Sequence, residues 1–228
     1  MNVIAHRGFC EEAPENTVVA FERAAGRADA VEFDVRRCAS GEIVVFHDET
    51  VDRATDGTGP VAEHTLSELR SLRVDGSDVG VPTLEEVLDA VDPGLSISIE
   101  LKERGVAEEV LETVSERPHD VVLSSFDTGA LAEVREVDES APRAFITRGP
   151  WTRPFSVVDR LGCSHLHLRW QACLLPGMVR LARRRDLVVN AWTIRRPSVA
   201  RTLDRIGVDG IAVDRLDVVP DSMRPDRR

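Results

Sequence analysis

Short runs of β-branched and apolar residues alternate along the chain with longer amphipathic stretches, and the two periods can be separated by eye. Runs with strand character lie at Val3–Ala5, Ala30–Val35, Ile43–Phe46, Leu95–Leu101, Val121–Ser124, Arg143–Ile146, His165–Leu168, Leu187–Ala191 and Gly210–Val213. Helical spacing occupies the gaps, near Thr17–Ala25, Leu84–Val91, Val106–Glu116, Thr128–Val137, Phe155–Leu161, Gly177–Arg185 and Ser198–Ile206. Strand and helix alternating in this way predict βα units around a parallel sheet.

One strand stands apart. Too few residues separate Arg36 from Ile43 for a parallel crossover, and Ser40-Gly41 is turn chemistry, so the Ile43 run is expected to fold back as a hairpin on the strand before it. Eight strands and seven helices then remain, which predicts an α/β fold of the (β/α)8 TIM-barrel type with an extra hairpin strand. A doubly wound open sheet is the runner-up, but no GxGxxG follows the first strand. Residues 49–82 are irregular apart from a helical pattern near Thr65–Leu72, and read as a small cap inserted between barrel strands 2 and 3. The expected organisation is a single domain over residues 1–219, with 220–228 as a flexible C-terminal tail.

Composition narrows the choice of partners. The 228 residues carry 40 acidic and 29 basic side chains, a formal charge of −11, and Lys102 is the single lysine. Such a chain repels phosphate backbones over most of its surface, so neither a nucleic-acid partner nor a polybasic membrane contact is expected. Any phosphate it handles must meet a local positive site. An arginine-dominated acidic composition also reads as adaptation to high salt. Cys10, Cys38, Cys163 and Cys173 form no CxxC pair, the chain opens with no apolar leader, and no run is long enough to span a bilayer. A soluble, cytoplasmic protein with free thiols is the expectation.

Strand periodicity then groups the chemistry. Side chains at i and i+2 share a face, so Glu32 pairs with Asp34, and Glu100 with Lys102, at the end of the barrel where active sites form; His6 and Arg7 end the first strand there. Three carboxylates in one mouth need positive charge nearby. Arg7 and Lys102 could supply it alone, as a buried ion-pair network. Alternatively Glu32, Asp34 and Glu100 hold a divalent cation, and an all-oxygen set favours Mg²⁺ or Ca²⁺, with Mn²⁺ admissible, over zinc. His6 and His47 lie beside the carboxylates and can share acid–base work near neutral pH, whereas His64, His119, His165 and His167 stand in no such constellation.

His6-Arg7-Gly8, Pro14-Glu15-Asn16-Thr17, Glu32-Phe33-Asp34-Val35, Val44-Val45-Phe46-His47-Asp48, Asp52-Arg53, Pro82-Thr83-Leu84-Glu85-Glu86-Val87-Leu88 and Ile99-Glu100-Leu101-Lys102 follow one another in order. With Ser125-Phe126-Asp127, Ala191-Trp192-Thr193 and Gly207-Val208-Asp209-Gly210, this ordered set resembles the glycerophosphodiester phosphodiesterase family over nearly the whole chain. The resemblance implies a TIM-barrel, metal-dependent hydrolase of small glycerophosphodiesters, yielding glycerol 3-phosphate or its stereoisomer and an alcohol. Position by position, it implies Glu32, Asp34 and Glu100 as metal ligands and His6 and His47 as the acid–base pair. Arg7 and Lys102 match phosphate-contacting cations, and Trp192 an aromatic on the glycerol side.

Other positions have structural readings of their own. Asn16 and Thr17 are placed to cap the first helix, Pro82-Thr83 with Glu85 and Glu86 to start another, and Asp48 to orient an imidazole or close a loop. Trp192 is on an apolar strand, where core packing is the alternative reading. At Asp214-Arg215-Leu216 the family often has proline in place of Leu216, so the loop after the last strand is expected to differ. Two alternatives have their own requirements: a phospholipase D-like or lysophospholipid-cleaving enzyme needs a way to meet membrane, and a silent phosphodiester-binding protein should lack part of the catalytic set.

Overall fold

The computed structural model describes residues 1–225; the last three residues of the expected tail, 226–228, lie outside the described residues. The first strand, β1 (Asn2–His6), leads through helix α1 (Val18–Ala24) to β2 (Ala30–Arg37) and β3 (Ile43–Val45). After α2 (Leu66–Ser71) and α3 (Leu84–Ala90), strand and helix alternate: β4 (Ser96–Leu101), α4 (Ala107–Ser115), β5 (Val121–Ser125), α5 (Thr128–Val137), β6 (Arg143–Thr147), α6 (Pro154–Leu161). The chain ends with β7 (His165–Arg169), α7 (Trp170–Cys173), α8 (Met178–Arg183), β8 (Val188–Ile194), α9 (Pro197–Arg205) and β9 (Gly210–Val213). Single-turn α7 has no counterpart in the sequence pattern, because four residues are too few to show a helical period.

The strands run β1-β2-β4-β5-β6-β7-β8-β9 in space, and β9 pairs with β1, so eight parallel strands close into a TIM barrel. The extra strand is where the hairpin chemistry put it. β1 ends opposite Glu32, and β3 takes over that edge of β2, antiparallel, with Val35 opposite Val45 and Arg37 opposite Ile43. This exchange of partners carries the chain after β3 to the barrel's C-terminal mouth, delivering His47 there.

Alternation along the strands separates two environments. Val31, Phe33 and Val35 of β2, and Ile97, Ile99 and Leu101 of β4, are buried in the layer between strands and helices. Their neighbours Glu32, Ser98 and Glu100 line the barrel interior instead, with Ser124, His167 and Asn190 from later strands. The apolar shell supplies the hydrophobic stabilisation, which leaves the interior free to be polar. The cap has a small core of its own, including Phe46, Val51, Leu69 and Val81, and α2 begins with a capping box between Thr65 and Glu68.

After β9, Leu216–Val218 forms a 3-10 turn whose Leu216 N–H donates to Glu12 Oε1 at 2.7 Å. A proline there would have no N–H to give, so Leu216 closes this loop through a contact proline could not make. Within the tail, Asp221–Met223 makes a further 3-10 turn and Met223 packs against the core. No helix among the described residues is long and apolar enough to cross a membrane.

Candidate active site

The mouth of the barrel holds a cavity of about 380 Å³ that reaches His6, Arg7, Glu32, His47, Glu100, Lys102 and Trp192. Strand register explains the convergence. Glu32 lies beside His6 on β1, and Asp34 lies beside Glu100 on β4. Carboxylate oxygens of Glu32, Asp34 and Glu100, one from each, fall within 4.8 Å of one another.

The two cations are distributed unevenly over these acids. Lys102 Nζ stands 2.6 Å from Glu100 Oε1 and 3.0 Å from Asp34 Oδ1, while Arg7 Nε is 3.3 Å from Asp34 Oδ2. Asn16 Nδ2 also donates to Asp34 Oδ2, at 3.0 Å. Burial opposes ionisation of Asp34, but Lys102 and Arg7 outweigh it and hold this carboxyl below the usual range. Glu32 has weaker support: the Arg7 backbone N–H donates to its Oε2 at 3.3 Å, and the charges of His6 and Arg7 favour its ionisation without prevailing. Burial, and then the charge of Asp34, push it up to about 7, and the same causes raise Glu100 despite Lys102.

Arg7 is further tied down by Glu15, whose two oxygens lie 3.2 and 3.3 Å from its Nη1. The ion-pair network therefore forms, as one reading of the sequence anticipated, but it satisfies Asp34 first and leaves Glu32 short of positive charge. Three hard oxygen donors with an unmet charge deficit are the chemistry of a divalent-cation site.

Both imidazoles are held in one way. His6 Nδ1 lies 2.7 Å from Asp214 Oδ1 and His47 Nδ1 lies 2.5 Å from Asp48 Oδ1, so each ring gives one nitrogen to an aspartate and keeps the other. His6 Nε2 is 3.8 Å from Glu32 Oε2. Burial would lower the pKa of His6, but Glu32 and Asp214 raise it overall; His47 is lowered by burial, aided by Lys102 and Arg7. Backbone shape contributes as well. Arg7, Gly8 and Phe9 all take positive φ, and at Gly8 a Cβ would come within 2.5 Å of the Ala20 Cβ, so glycine is required for this turn to close against α1.

Trp192 lines the cavity and meets Phe126 edge-to-face at 5.5 Å, with its indole Nε1 donating to the His167 carbonyl at 3.3 Å. A register shift between Ala191 and Ile194 lets the consecutive residues Trp192 and Thr193 both face this space. All eight residues singled out by the sequence are thus brought together. Three partners were missed. Asp214 stood out only as part of a divergent loop, although closure of the barrel places the end of β9 beside the end of β1. Glu15 and Arg53 were within quoted motifs, but the bonds joining them, 2.5 Å from Arg53 Nη2 to Glu15 Oε1 and 3.1 Å from Nη1 to Oε2, span the cap and could not be seen in strand periodicity.

Comparison with known proteins places this geometry. The model of the glycerophosphoryl diester phosphodiesterase family matches residues 6–218. The chain belongs to that family. A glycerophosphodiester phosphodiesterase of Caldanaerobacter subterraneus is 32% identical over 228 residues, covering 93% of each chain. The structure of an Oleispira antarctica phosphodiesterase in complex with its product sn-glycerol-3-phosphate superimposes with a TM-score of 0.86 at 28% identity, covering 94% of this chain and 93% of that one. A glycerophosphodiester phosphodiesterase from Agrobacterium tumefaciens has a TM-score of 0.86 at 28% identity, over 96% of this chain and 98% of its own. Glycerophosphodiester phosphodiesterases are phosphoric diester hydrolases, and the mouth of the barrel is the candidate site for that hydrolysis.

Proposed function

We propose that this glycerophosphodiester phosphodiesterase is metal-dependent, with Glu32, Asp34 and Glu100 holding one divalent cation and His6 and His47 sharing the proton transfers. The observation that carries the reading is the pairing of an under-neutralised carboxylate triad with two imidazoles, each backed by its own aspartate. When bound, Mg²⁺, Ca²⁺ or Mn²⁺ would supply charge to the nonbridging oxygens of the phosphodiester.

The chain's own groups do the rest. Arg7 and Lys102 face the same cavity and offset charge that builds on the phosphoryl group. Asp214 and Asp48 keep the two rings oriented with a free nitrogen each. One ring accepts a proton from the attacking oxygen and the other returns one to the departing alcohol. Trp192, with Phe126 behind it, offers an apolar wall to the glycerol moiety. The product of cleavage is glycerol 3-phosphate, the ligand named for the Oleispira relative.

The test is a panel of glycerophosphodiesters incubated with chelator-treated protein and then with Mg²⁺, Ca²⁺ or Mn²⁺, measuring glycerol 3-phosphate released. Activity that is lost on chelation, regained with a divalent ion, and abolished in His6→Ala and His47→Ala is the expected result. Full turnover after exhaustive chelation would remove the metal from the reading, and turnover within a few fold in either alanine variant would remove that histidine.

A further inference from the structure

The turn after β1 brings a thiol against the catalytic histidine without giving it a part in hydrolysis. The N–H groups of Phe9 and Cys10 both donate to the His6 carbonyl, at 3.0 and 3.3 Å, so the chain doubles back and sets Cys10 beside His6. Cys10 Sγ lies 3.2 Å from Asp214 Oδ1 and 3.9 Å from His6 Nδ1, and those two atoms are 2.7 Å apart. The other cysteines, Cys38, Cys163 and Cys173, are buried; Cys10 is the one that lines the cavity.

A sulfur, an imidazole nitrogen and a carboxylate oxygen therefore form one triangular face. Around a tetrahedral Zn²⁺ with ordinary bond lengths, the edges from sulfur would measure about 3.5 Å and the nitrogen–oxygen edge about 3.3 Å. The sulfur edges found here are within a few tenths of an ångström of this. The nitrogen–oxygen edge is shorter because a hydrogen bond now closes it, and that bond is what a metal would replace. Arg195 Nε pairs with the other oxygen of Asp214, Oδ2, at 3.2 Å, which leaves Oδ1 available.

The donor set differs in kind from the carboxylate triad. Thiolate and imidazole select soft or borderline ions, whereas three carboxylates select hard ones. We propose that His6, Cys10 and Asp214 form a second metal site, specific for Zn²⁺ and its congener Cd²⁺, whose occupation switches hydrolysis off. The site stands on its own geometry; the inhibitory consequence rests on the acid–base role given to His6.

On binding, the Cys10 S–H bond breaks, a sulfur–zinc bond forms and the proton leaves to solvent. Nδ1 of His6 exchanges its hydrogen bond to Asp214 for the metal, and the neutral ring carries its proton on Nε2. Neither ring nitrogen can then accept a proton. Burial, with the Asp214 carboxylate, pushes the Cys10 thiol far above its ordinary range, so the sulfur stays protonated until a metal displaces the proton.

The experiment uses the full chain with Mg²⁺ in excess to occupy the carboxylates. Cd²⁺ is titrated in while the ultraviolet thiolate-to-cadmium absorption is followed, and Zn²⁺ is titrated into the activity assay. The expected result is a band saturating at one equivalent, absent from Cys10→Ser. That variant keeps an O–H donor toward Asp214 and parental turnover, but needs at least about tenfold more Zn²⁺ for half-inhibition. A band that persists in Cys10→Ser, or equal Zn²⁺ sensitivity, overturns the proposal. In the parent protein Zn²⁺ should also shield Cys10 from maleimide, read by peptide mass; unchanged labelling overturns it without recourse to any variant. If no glycerophosphodiester is turned over, the function reading fails while the absorption band still decides the site.

Discussion

His6 Nδ1 and Asp214 Oδ1 meet at 2.7 Å across the seam where β9 closes the barrel against β1. Burial works against a charge on Asp214, but the hydrogen bond from His6 and its charge hold the carboxyl down to about 2, so it is an obligate acceptor. The neutral ring must then carry its proton on Nδ1 and leave Nε2 bare on the side of Glu32.

Asp214→Asn tests that arrangement with little change in shape. A carboxamide can present an N–H to Nδ1, which favours the opposite tautomer and leaves Nε2 protonated. If His6 acts as proposed, then by analogy with the aspartate behind the histidine of a serine-protease triad, kcat should fall by about a hundred- to ten-thousand-fold with KM changed only a few fold. Steady-state kinetics on a glycerophosphodiester decide it; a loss confined to KM would mean that Asp214 acts on substrate binding and not through His6.

Glu15 is the point where the cap and barrel share a charge. Its carboxylate takes both Arg7 and Arg53, and Arg7 is already committed to a positive φ. In Glu15→Gln one oxygen is replaced by an N–H group facing guanidinium, so Arg7 loses its anchor while keeping its charge. Activity should drop by about ten- to a hundredfold, as for losses of outer positioning contacts, and the melting temperature by a few degrees. Thermal unfolding and kinetics measured on the same preparation check both.

How much of this was legible in the sequence depends on the range of each contact. The barrel was readable because alternation in Ser96–Leu101 and Ala30–Val35 separates an apolar face from a polar one within a few residues. Glu32, Asp34, Glu100 and Lys102 were readable for the same reason, since i and i+2 suffice. Asp214 and Glu15 were not, because their partners lie 208 residues away in His6 and 38 residues away in Arg53. Only closure of the barrel and folding of the cap bring them together. The unequal charge state of Asp34 and Glu32, two residues apart on one face, was equally hidden: it depends on where Lys102 Nζ and the Arg7 guanidinium come to rest.

That inequality predicts a trade between stability and activity. Glu32 is buried beside Asp34 and Glu100, and the charges of His6 and Arg7 do not offset that burial and repulsion, so Glu32→Gln removes repulsion from the metal-free protein. In chelator at pH 8 the variant should melt a few degrees above the parent, a gain of about 1–2 kcal/mol of the kind found when a strained functional group is removed. Divalent ions should raise the melting temperature of the parent and much less that of the variant, which should also be inactive. A variant that melts below the parent in chelator would show that Glu32 is already compensated.

Deeper in the barrel, His167 offers a prediction about acid stability. It is buried, its Nε2 accepts from Asn190 Nδ2 at 3.2 Å, and burial followed by the neighbouring His165 pushes its pKa down from 6.5 to about 3. The folded protein thus refuses a proton that the unfolded chain accepts once the pH drops below 6.5. Between 6.5 and 3 the unfolded state binds one more proton at this site, so stability rises with pH and is lost on acidification, with a limiting slope of about 1.4 kcal/mol per pH unit. His167→Asn cannot titrate, while every carboxylate and His165 remain in both proteins. Urea unfolding at pH 7.5, 6 and 5 should show the variant somewhat less stable at the highest pH, by about 1 kcal/mol for the altered hydrogen bond. The gap should then close, and reverse, as the pH falls. Parallel stability curves for the two proteins would mean that the barrel interior admits a proton at His167 after all.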